Sequence, residues 1–120
     1  MQDFRNLQVW KAAHAVTLDI YRMTQEFPQE ERYGLTSQVR RSAVSIPSNI
    51  AEGCGRGSDA DFARFVQIAM GSASELEYQI LLADDLAFMH SAESQTLIEK
   101  VQRVKRMLIG LHKKLTANSR

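Results

Sequence analysis

The sequence has few of the residues that build covalent or metal-held scaffolds. Its single cysteine, Cys54, excludes an internal disulfide, and no second cysteine supplies the spacing of a zinc site or a redox pair. Only two prolines occur, Pro28 and Pro47, and no stretch alternates apolar and polar residues around a hairpin turn. The chain therefore has to fold through noncovalent packing, and helices are better supported than strands.

Long apolar runs are also missing. A transmembrane helix needs about 20 consecutive, mostly apolar residues, and charges interrupt every apolar run here within a few positions. The first residues lack the basic stretch and apolar segment of a secretory signal. We therefore expect a cytoplasmic protein with no membrane partner, in a reducing compartment that suits a free thiol.

The composition is ordinary for a folded globular domain. Of the 120 residues, 44% are hydrophobic and 24% are charged, which argues against a disordered or low-complexity chain. A chain of this length can bury a substantial core without disulfides or a metal. We predict one four-helix domain spanning residues 1–120.

Charge is distributed unevenly along the chain. The formal net charge is +1, but residues 1–99 carry eight Lys and Arg against fourteen Asp and Glu, whereas residues 100–120 carry seven basic residues and no acid. This segregation makes the C-terminal helix the best candidate for recognising an anion. The alternative is a solvated face whose cations pair with acids such as Asp19, Asp84 and Asp85. The candidate contact residues are Lys100, Arg103, Arg106, Lys113 and Lys114.

Four amphipathic helices account for most of the apolar pattern. The second contains Pro47, which should bend the helix near Ala43 or break it, because proline lacks a backbone N–H. Ser58 and Ser91 are expected to cap the third and fourth helices. The predicted helices span about Gln8–Glu26, Thr36–Gly53, Ser58–Ala87 and Ser91–Leu115.

Each predicted helix has an apolar seam with residues spaced three and four apart. Such seams pack helices at about 20°, and an all-α, up-down-up-down antiparallel bundle is the simplest arrangement of four of them. Small residues from Gly71 to Ser74 should let another helix approach the third helix closely. The third-helix seam is Phe62, Val66, Ala69, Ala73, Leu76, Ile80, Ala83 and Ala87, and the fourth-helix seam is Leu97, Val101, Val104, Leu108, Leu111 and Leu115.

The first and fourth helices carry more apolar surface than the core of a monomer requires. A second line of side chains lies about 120° from the core stripe of the first helix, and two isoleucines of the fourth helix fall outside its seam. A heterologous contact between unlike faces closes into a ring, so we predict self-assembly. The predicted interface residues are Leu7, Trp10, His14, Tyr21, Ile98 and Ile109.

Polar residues are dense on the second helix around Pro47. They favour a hydrogen-bonded network that holds the bend and the next protomer, with a pocket or partner contact as the alternative. Glu52 is expected to pair with an arginine, because an unpaired buried carboxylate is unfavourable. The residues of this predicted network or pocket are Arg40, Arg41, Asn49, Glu52 and Arg56.

Catalytic and metal-binding patterns are absent from the sequence. A di-metal bundle needs Glu-x-x-His pairs, and none of His14, His90 and His112 follows a glutamate at that spacing. A nucleophile at Cys54 with His14 or His90 as its base lacks a third catalytic residue and an oxyanion motif. We therefore predict a protein that is not an enzyme and has no cofactor.

Several motifs match one known family over nearly the full length of the chain. They include Phe27-Pro28, Tyr33-Gly34-Leu35, the block Ser45-Ile46-Pro47-Ser48-Asn49-Ile50-Ala51-Glu52-Gly53, and then Arg56, Phe62, Phe65, Gly71-Ser72 and Glu75. With these motifs the chain resembles the four-helix bundle proteins encoded by open reading frames in the 23S rRNA intervening sequences of some bacteria.

The resemblance implies a left-handed antiparallel bundle, a homopentameric ring and no established enzymatic activity. Related pentameric bundles are the accessory variability proteins of diversity-generating retroelements, in which a strongly basic ring binds nucleic acid and the reverse transcriptase. This chain differs from that branch, because acids outnumber basic residues over residues 1–99 and such a charge does not attract a polyanion at long range.

The sequence supports three functional hypotheses, in decreasing order. The first is a non-enzymatic, homo-oligomeric scaffold or adaptor that binds itself and another protein. The second is an RNA- or DNA-binding ring that uses the basic residues of the fourth helix. The third is a small-ligand binder or enzyme at the polar second helix.

Overall fold

The computed structural model describes residues 3–118 and contains four long helices. Two short 3-10 helices, Phe4–Asn6 and Gln29–Glu31, precede the first and second of them, and no strand occurs in residues 3–118. The all-helical prediction is therefore confirmed. The long helices are α1 (Gln8–Thr24), α2 (Leu35–Cys54), α3 (Asp59–Asp85) and α4 (Ser91–Asn118).

The four helices surround one apolar core in the cyclic order α1, α2, α3, α4. Helices adjacent in sequence pack against each other, and α1 also packs against α4, whereas the diagonal pairs make no close backbone contact within the described residues. The principal extents are 47 × 23 × 20 Å. None of the described helices is long and apolar enough to cross a membrane.

The predicted seams form the core. The α4 seam is buried except for half-buried Leu111, and the α3 seam is buried except for Ala87. The largest side chains that are essentially inaccessible to solvent are Ile20, Ile46, Ile50, Leu76, Ile80 and Leu108. Period-3.6 apolar spacing thus identified the buried side of each helix.

The end of α3 differs from the prediction. The helix stops at Asp85, and Ala87 is exposed with a φ of 62°. The amide of Ala87 donates to the Asp84 carbonyl and that of Phe88 to the Ala83 carbonyl, both at 2.9 Å. This is the Schellman arrangement, which usually has glycine at the position that Ala87 occupies.

The two predicted serine caps have different outcomes. Ser58 caps α3 as predicted, because its hydroxyl accepts from the Asp61 amide at 3.2 Å. The prediction for Ser91 is wrong: α4 begins at Ser91 itself, and the Ser91 hydroxyl donates to an Asp84 carboxylate oxygen at 3.0 Å. Ser91 therefore ties α4 to the end of α3.

Helix α2 continues without a break through Pro47. Proline has no N–H, so the carbonyl of Ala43 lacks its normal partner four residues later. The hydroxyl of Thr17, which is buried in α1, lies 3.1 Å from the Ala43 carbonyl and 2.9 Å from that of Ala13, and donates to them. Helix α1 thus supplies the donor that α2 lacks.

The closest approach between α2 and α3 occurs at Gly53. A Cβ atom there would lie 2.7 Å from the Phe65 Cβ and 2.9 Å from the Phe62 Cδ1. The small segment predicted for close packing contributes only in part, because a Cβ at Gly71 would meet nothing within 4 Å, whereas Ala73 is fully buried. The glycine that permits tight packing is therefore the one in α2.

Candidate functional surfaces

One apolar surface, the α1–α2 face, lies along the side formed by α1 and α2. Leu18 and Tyr21 of α1 are 46% and 41% exposed, and Val44 of α2 is 38% exposed. Tyr21 and Val44 line a shared depression with Tyr33, which precedes α2. Large apolar side chains gathered outside a core are typical of an interaction surface.

Arg40 fixes one edge of the α1–α2 face. Its guanidinium lies 4.7 Å from the centroid of the Tyr21 ring, and its Nε donates to the Thr24 hydroxyl at 2.8 Å. The cation and the hydrogen bond both hold this α2 side chain against α1. Arg40 therefore orients Tyr21 and does not join the other polar residues of α2.

A second apolar surface, the α3–α4 face, lies along the side formed by α3 and α4. Leu81 is 46% exposed and Ile109 is 41% exposed, while Ile98 is half-buried. Ile98 and Ile109 share a helical line with Lys105, whose Nζ lies 3.1 Å from Glu77 Oε1 on α3. That ion pair places the two isoleucines on the side of α4 that adjoins α3.

The two faces lie on opposite sides of the bundle, because the pair α1 and α2 is opposite the pair α3 and α4 in the cyclic order. The predicted interface residues divide between them. The stripe of α1 runs along the same helical line as Thr17, which reaches α2, whereas the two isoleucines adjoin α3. The stripe consists of Leu7, Trp10, His14 and Tyr21.

Part of the predicted α1 stripe is covered by the chain itself. The ring of Trp10 stacks on His14 with centroids 4.9 Å apart and meets Phe4 edge-on at 5.0 Å. Leu7 and Trp10 are half-buried against the core. The most exposed apolar part of this face is therefore near Leu18, farther along α1.

The predicted anion-binding residues of α4 separate into two groups, and Lys100 forms the first. Lys100 donates to an Asp19 carboxylate oxygen of α1 at 3.0 Å. Burial alone would raise the pKa of Asp19, but hydrogen bonds from Lys100 and Arg22 outweigh it and hold that pKa below its ordinary value. Lys100 follows the alternative that we considered, pairing with an acid of another helix.

The second group is exposed and faces away from the core. None of the ion pairs among residues 3–118 involves these side chains. Arg120, which adds to the charge at this end, lies outside the described residues. We call the group the α4 basic strip, and it consists of Arg103, Arg106, Lys113 and Lys114.

The predicted polar set of α2 does not form one network. Asn49 donates to the Ser45 carbonyl of its own helix at 2.8 Å. Glu52 is exposed and pairs with Arg56 at 3.3 Å, and Arg56 also lies 4.9 Å from the centroid of the Phe65 ring. These contacts occur at separate places along the helix.

A polar cleft between α2 and α3, the α2–α3 cleft, contains residues that the sequence analysis missed. Ser42 donates to Glu75 at 2.8 Å, and the hydroxyl oxygens of Ser45 and Ser72 are 2.8 Å apart. The signal that could have revealed the cleft is three-four spacing of polar residues on both helices. The cleft measures about 460 Å³ and is lined by Gln38, Arg41, Ser42, Ser45, Ser72, Glu75 and Gln79.

The geometry adds no support to the catalytic and metal-binding alternatives. Cys54 is buried, and its burial together with the Asp3 carboxylate raises the pKa of the thiol. A nucleophilic cysteine needs the thiolate, which a raised pKa disfavours. Within the described residues, no three His, Cys, Asp or Glu lie close enough together to hold a metal ion.

Comparison with known proteins identifies the family. A family model of the 23S rRNA-intervening sequence proteins matches residues 5–110. The chain belongs to this family. The resemblance inferred from the sequence motifs is thereby confirmed. None of the curated proteins compared with this family member matches it.

A solved structure shares the fold of this 23S rRNA-intervening sequence family member. It is a protein of unknown function from the S23 ribosomal protein family of Bacteroides thetaiotaomicron VPI-5482. The two superpose with a TM-score of 0.81 at 24% sequence identity, over 88% of this chain and 95% of the other. At this identity, the comparison supports the fold alone.

Proposed function

We propose that this family member is a non-enzymatic scaffold or adaptor that assembles into a ring of identical subunits, with five as the number implied by the family resemblance. The observation that carries the proposal is the pair of unlike apolar faces on opposite sides of one bundle. When the α1–α2 face of one subunit packs on the α3–α4 face of the next, both are buried and neither contact is self-complementary. Repetition of such a contact closes into a ring when the rotation per subunit permits it.

The proposal includes the finer features of the bundle. Short connections between successive helices favour an up-down-up-down antiparallel arrangement, and the family resemblance favours a left-handed one. We also propose a cytoplasmic location, where Cys54 would stay reduced.

The oligomeric state tests the ring directly. We expect the wild-type protein to elute as one assembly larger than a monomer, and Leu18→Glu and Ile109→Glu each to shift it towards the monomer in size-exclusion chromatography with light scattering. An interfacial carboxylate without a partner is strongly unfavourable. A mixture of the two variants should stay dissociated no more than half-way, because one subunit retains each intact face.

Ile68→Glu is the matched control. Ile68 is 43% exposed, similar to Leu18 and Ile109, but it lies one helical turn before Ser72, which contacts α2. It therefore belongs to neither face, and its variant should assemble like the wild type. A monomeric wild-type protein at micromolar concentration, or equal dissociation by all three variants, contradicts the proposed interface.

A second candidate function is RNA or DNA binding through the α4 basic strip. It is favoured by one observation: these four cations are exposed and make no ion pair within residues 3–118. In a ring, each subunit would present the same strip, so that weak contacts act together. Neutralising phosphate charges releases counterions and makes the affinity fall with salt.

Filter binding of single-stranded RNA and duplex DNA at about 50 mM salt measures this candidate function. Arg103→Gln combined with Arg106→Gln should weaken binding and flatten its dependence on salt. Lys100→Gln is the matched control, since Lys100 is already paired with Asp19. Retention of neither nucleic acid by the wild-type protein rejects this second function.

A further inference from the structure

A buried acceptor without a partner lies in the wall of the α2–α3 cleft. Gln79 lines the cleft and is 5% exposed. Its Oε1 atom is buried and receives no hydrogen bond from the described residues. Buried polar groups in folded proteins nearly always have a partner, so this atom needs an explanation.

Two opposite charges line the same cleft without pairing with each other. Arg41 donates through Nη2 to the Ser37 hydroxyl at 3.3 Å. Glu75 accepts from Ser42 through Oε1. No ion pair joins Arg41 to Glu75 in the described part of the chain. Both groups retain hydrogen-bonding capacity, because a guanidinium has five N–H donors and a carboxylate has about four lone-pair sites.

We propose that the α2–α3 cleft binds a small dipolar molecule carrying both a carboxylate and an amino group, the chemical class of the free α-amino acids. Arg41 receives the carboxylate through its forked donors. Glu75 and the Oε1 of Gln79 accept from the ammonium group. The ligand thereby supplies the donor that Gln79 lacks and neutralises two charges that do not neutralise each other.

The rest of the cleft suits such a ligand. Its volume of about 460 Å³ lies within the range of small-molecule sites. In the Ser45–Ser72 contact either hydroxyl can be the donor, so the pair can reorient towards a carboxylate or an ammonium group. This binding site goes beyond the proposed ring and does not depend on it.

Nuclear magnetic resonance of the ¹⁵N-labelled full chain tests the proposal. Each of the standard amino acids is added to about 10 mM, a concentration that detects millimolar affinity. Acetate and ethylamine, which carry one of the two groups each, serve as probes of the separate charges. We expect at least one amino acid to shift the amide signals of Ser42, Ser72 and Gln79, and neither acetate nor ethylamine to do so.

Three substitutions locate the site. Arg41→Gln and Glu75→Gln should each weaken binding about tenfold or more, because each removes a charge-assisted hydrogen bond. Gln79→Leu should weaken binding as well while keeping the fold, since it removes the unpaired amide. Arg64→Gln and Glu93→Gln are the matched controls outside the cleft and should bind as the wild type does.

Three outcomes would overturn the proposal. One is that no amino acid shifts the cleft signals at that concentration. Another is binding that survives both charge substitutions unchanged. The third is a Gln79 side-chain signal that responds to protein concentration and not to amino acids, which would mean that a second copy of the chain fills the cleft.

Discussion

Helices α2 and α4 are attached to their neighbours by different kinds of polar contact. The contact of α2 with α1 is a hydrogen bond from Thr17, which is 8% exposed, to the Ala43 carbonyl. The contact of α4 with α1 joins Lys100 to Asp19, whose side chains are 53% and 20% exposed. One contact is buried and unscreened, and the other lies partly in water.

This difference indicates which helix defines the bundle geometry. A buried hydrogen bond lost from one side leaves an unpaired polar group and is expensive, whereas a surface ion pair can break and be replaced by water with little effect. Helix α2 also makes close contact with α3 at Gly53. We infer that α2 has one permitted position, while α4 is held mainly by its apolar seam.

The largest expected effect comes from Gly53→Ala. The added methyl group must displace the Phe65 and Phe62 side chains, and overpacking of this kind destabilises by about 1–3 kcal/mol. Urea denaturation measures the change. Gly71→Ala is the matched control, because a Cβ there meets nothing within 4 Å, and its better helix propensity should stabilise by about 0.5–1 kcal/mol. Equal effects at both glycines would show that α2 and α3 separate easily.

Thr17→Val should destabilise by about 1–2 kcal/mol, since it leaves the Ala43 carbonyl unpaired with little change in shape. Pro47→Ala restores a backbone N–H to α2. In that background Thr17→Val should have a smaller effect, and the double-mutant cycle measures the coupling between the two positions. Additive effects would mean that Thr17 acts through Ala13 alone.

Ala87→Gly should stabilise by about 1 kcal/mol, because alanine is strained in the left-handed region that glycine adopts freely. This substitution changes the connection into α4 without touching the core. The control is Gly57→Ala at the other positive φ, 89°, where a Cβ meets nothing within 4 Å. Thermal unfolding of the two variants should shift in opposite directions.

Asp19→Asn should have the smallest effect, about 0.5–1 kcal/mol at neutral pH, because the pair with Lys100 is partly exposed. The lowered pKa of Asp19 means that its ion pairs stabilise the folded state above the ordinary aspartate pKa of about 3.9. That contribution is lost as the pH falls through the lower folded-state pKa. The difference between wild type and variant should therefore vanish in acid and shrink in high salt; a pH-independent difference contradicts this assignment.

The sequence predicted the fold well because the apolar spacing of each helix repeats with the helical period. Leu76 and Leu108 were assigned to the core from spacing alone, and both are completely buried. The Ser58 cap was predicted equally well, since its partner is only three residues away. Local and periodic signals were sufficient for these features.

The surfaces could be predicted only in part, because they depend on residues distant in sequence. Lys100 and Arg106 look alike in the sequence, yet only Lys100 has Asp19 beside it. Gln79 carries no sign of burial in a polar stretch, and Gly53 resembles a helix-ending glycine until Phe65 is placed against it. Tertiary contacts decide each of these cases.

The hydrogen bond from Thr17 to α2 has a consequence for how the sequence can vary in descent. A chain that keeps Pro47 has to keep a hydroxyl at position 17, whereas a chain that loses the proline is free to place valine or isoleucine there. Positions 17 and 47 therefore constitute one unit of inheritance although they lie on different helices. The proline came with an obligation on its neighbour, and related sequences should show the two residues being gained and lost together.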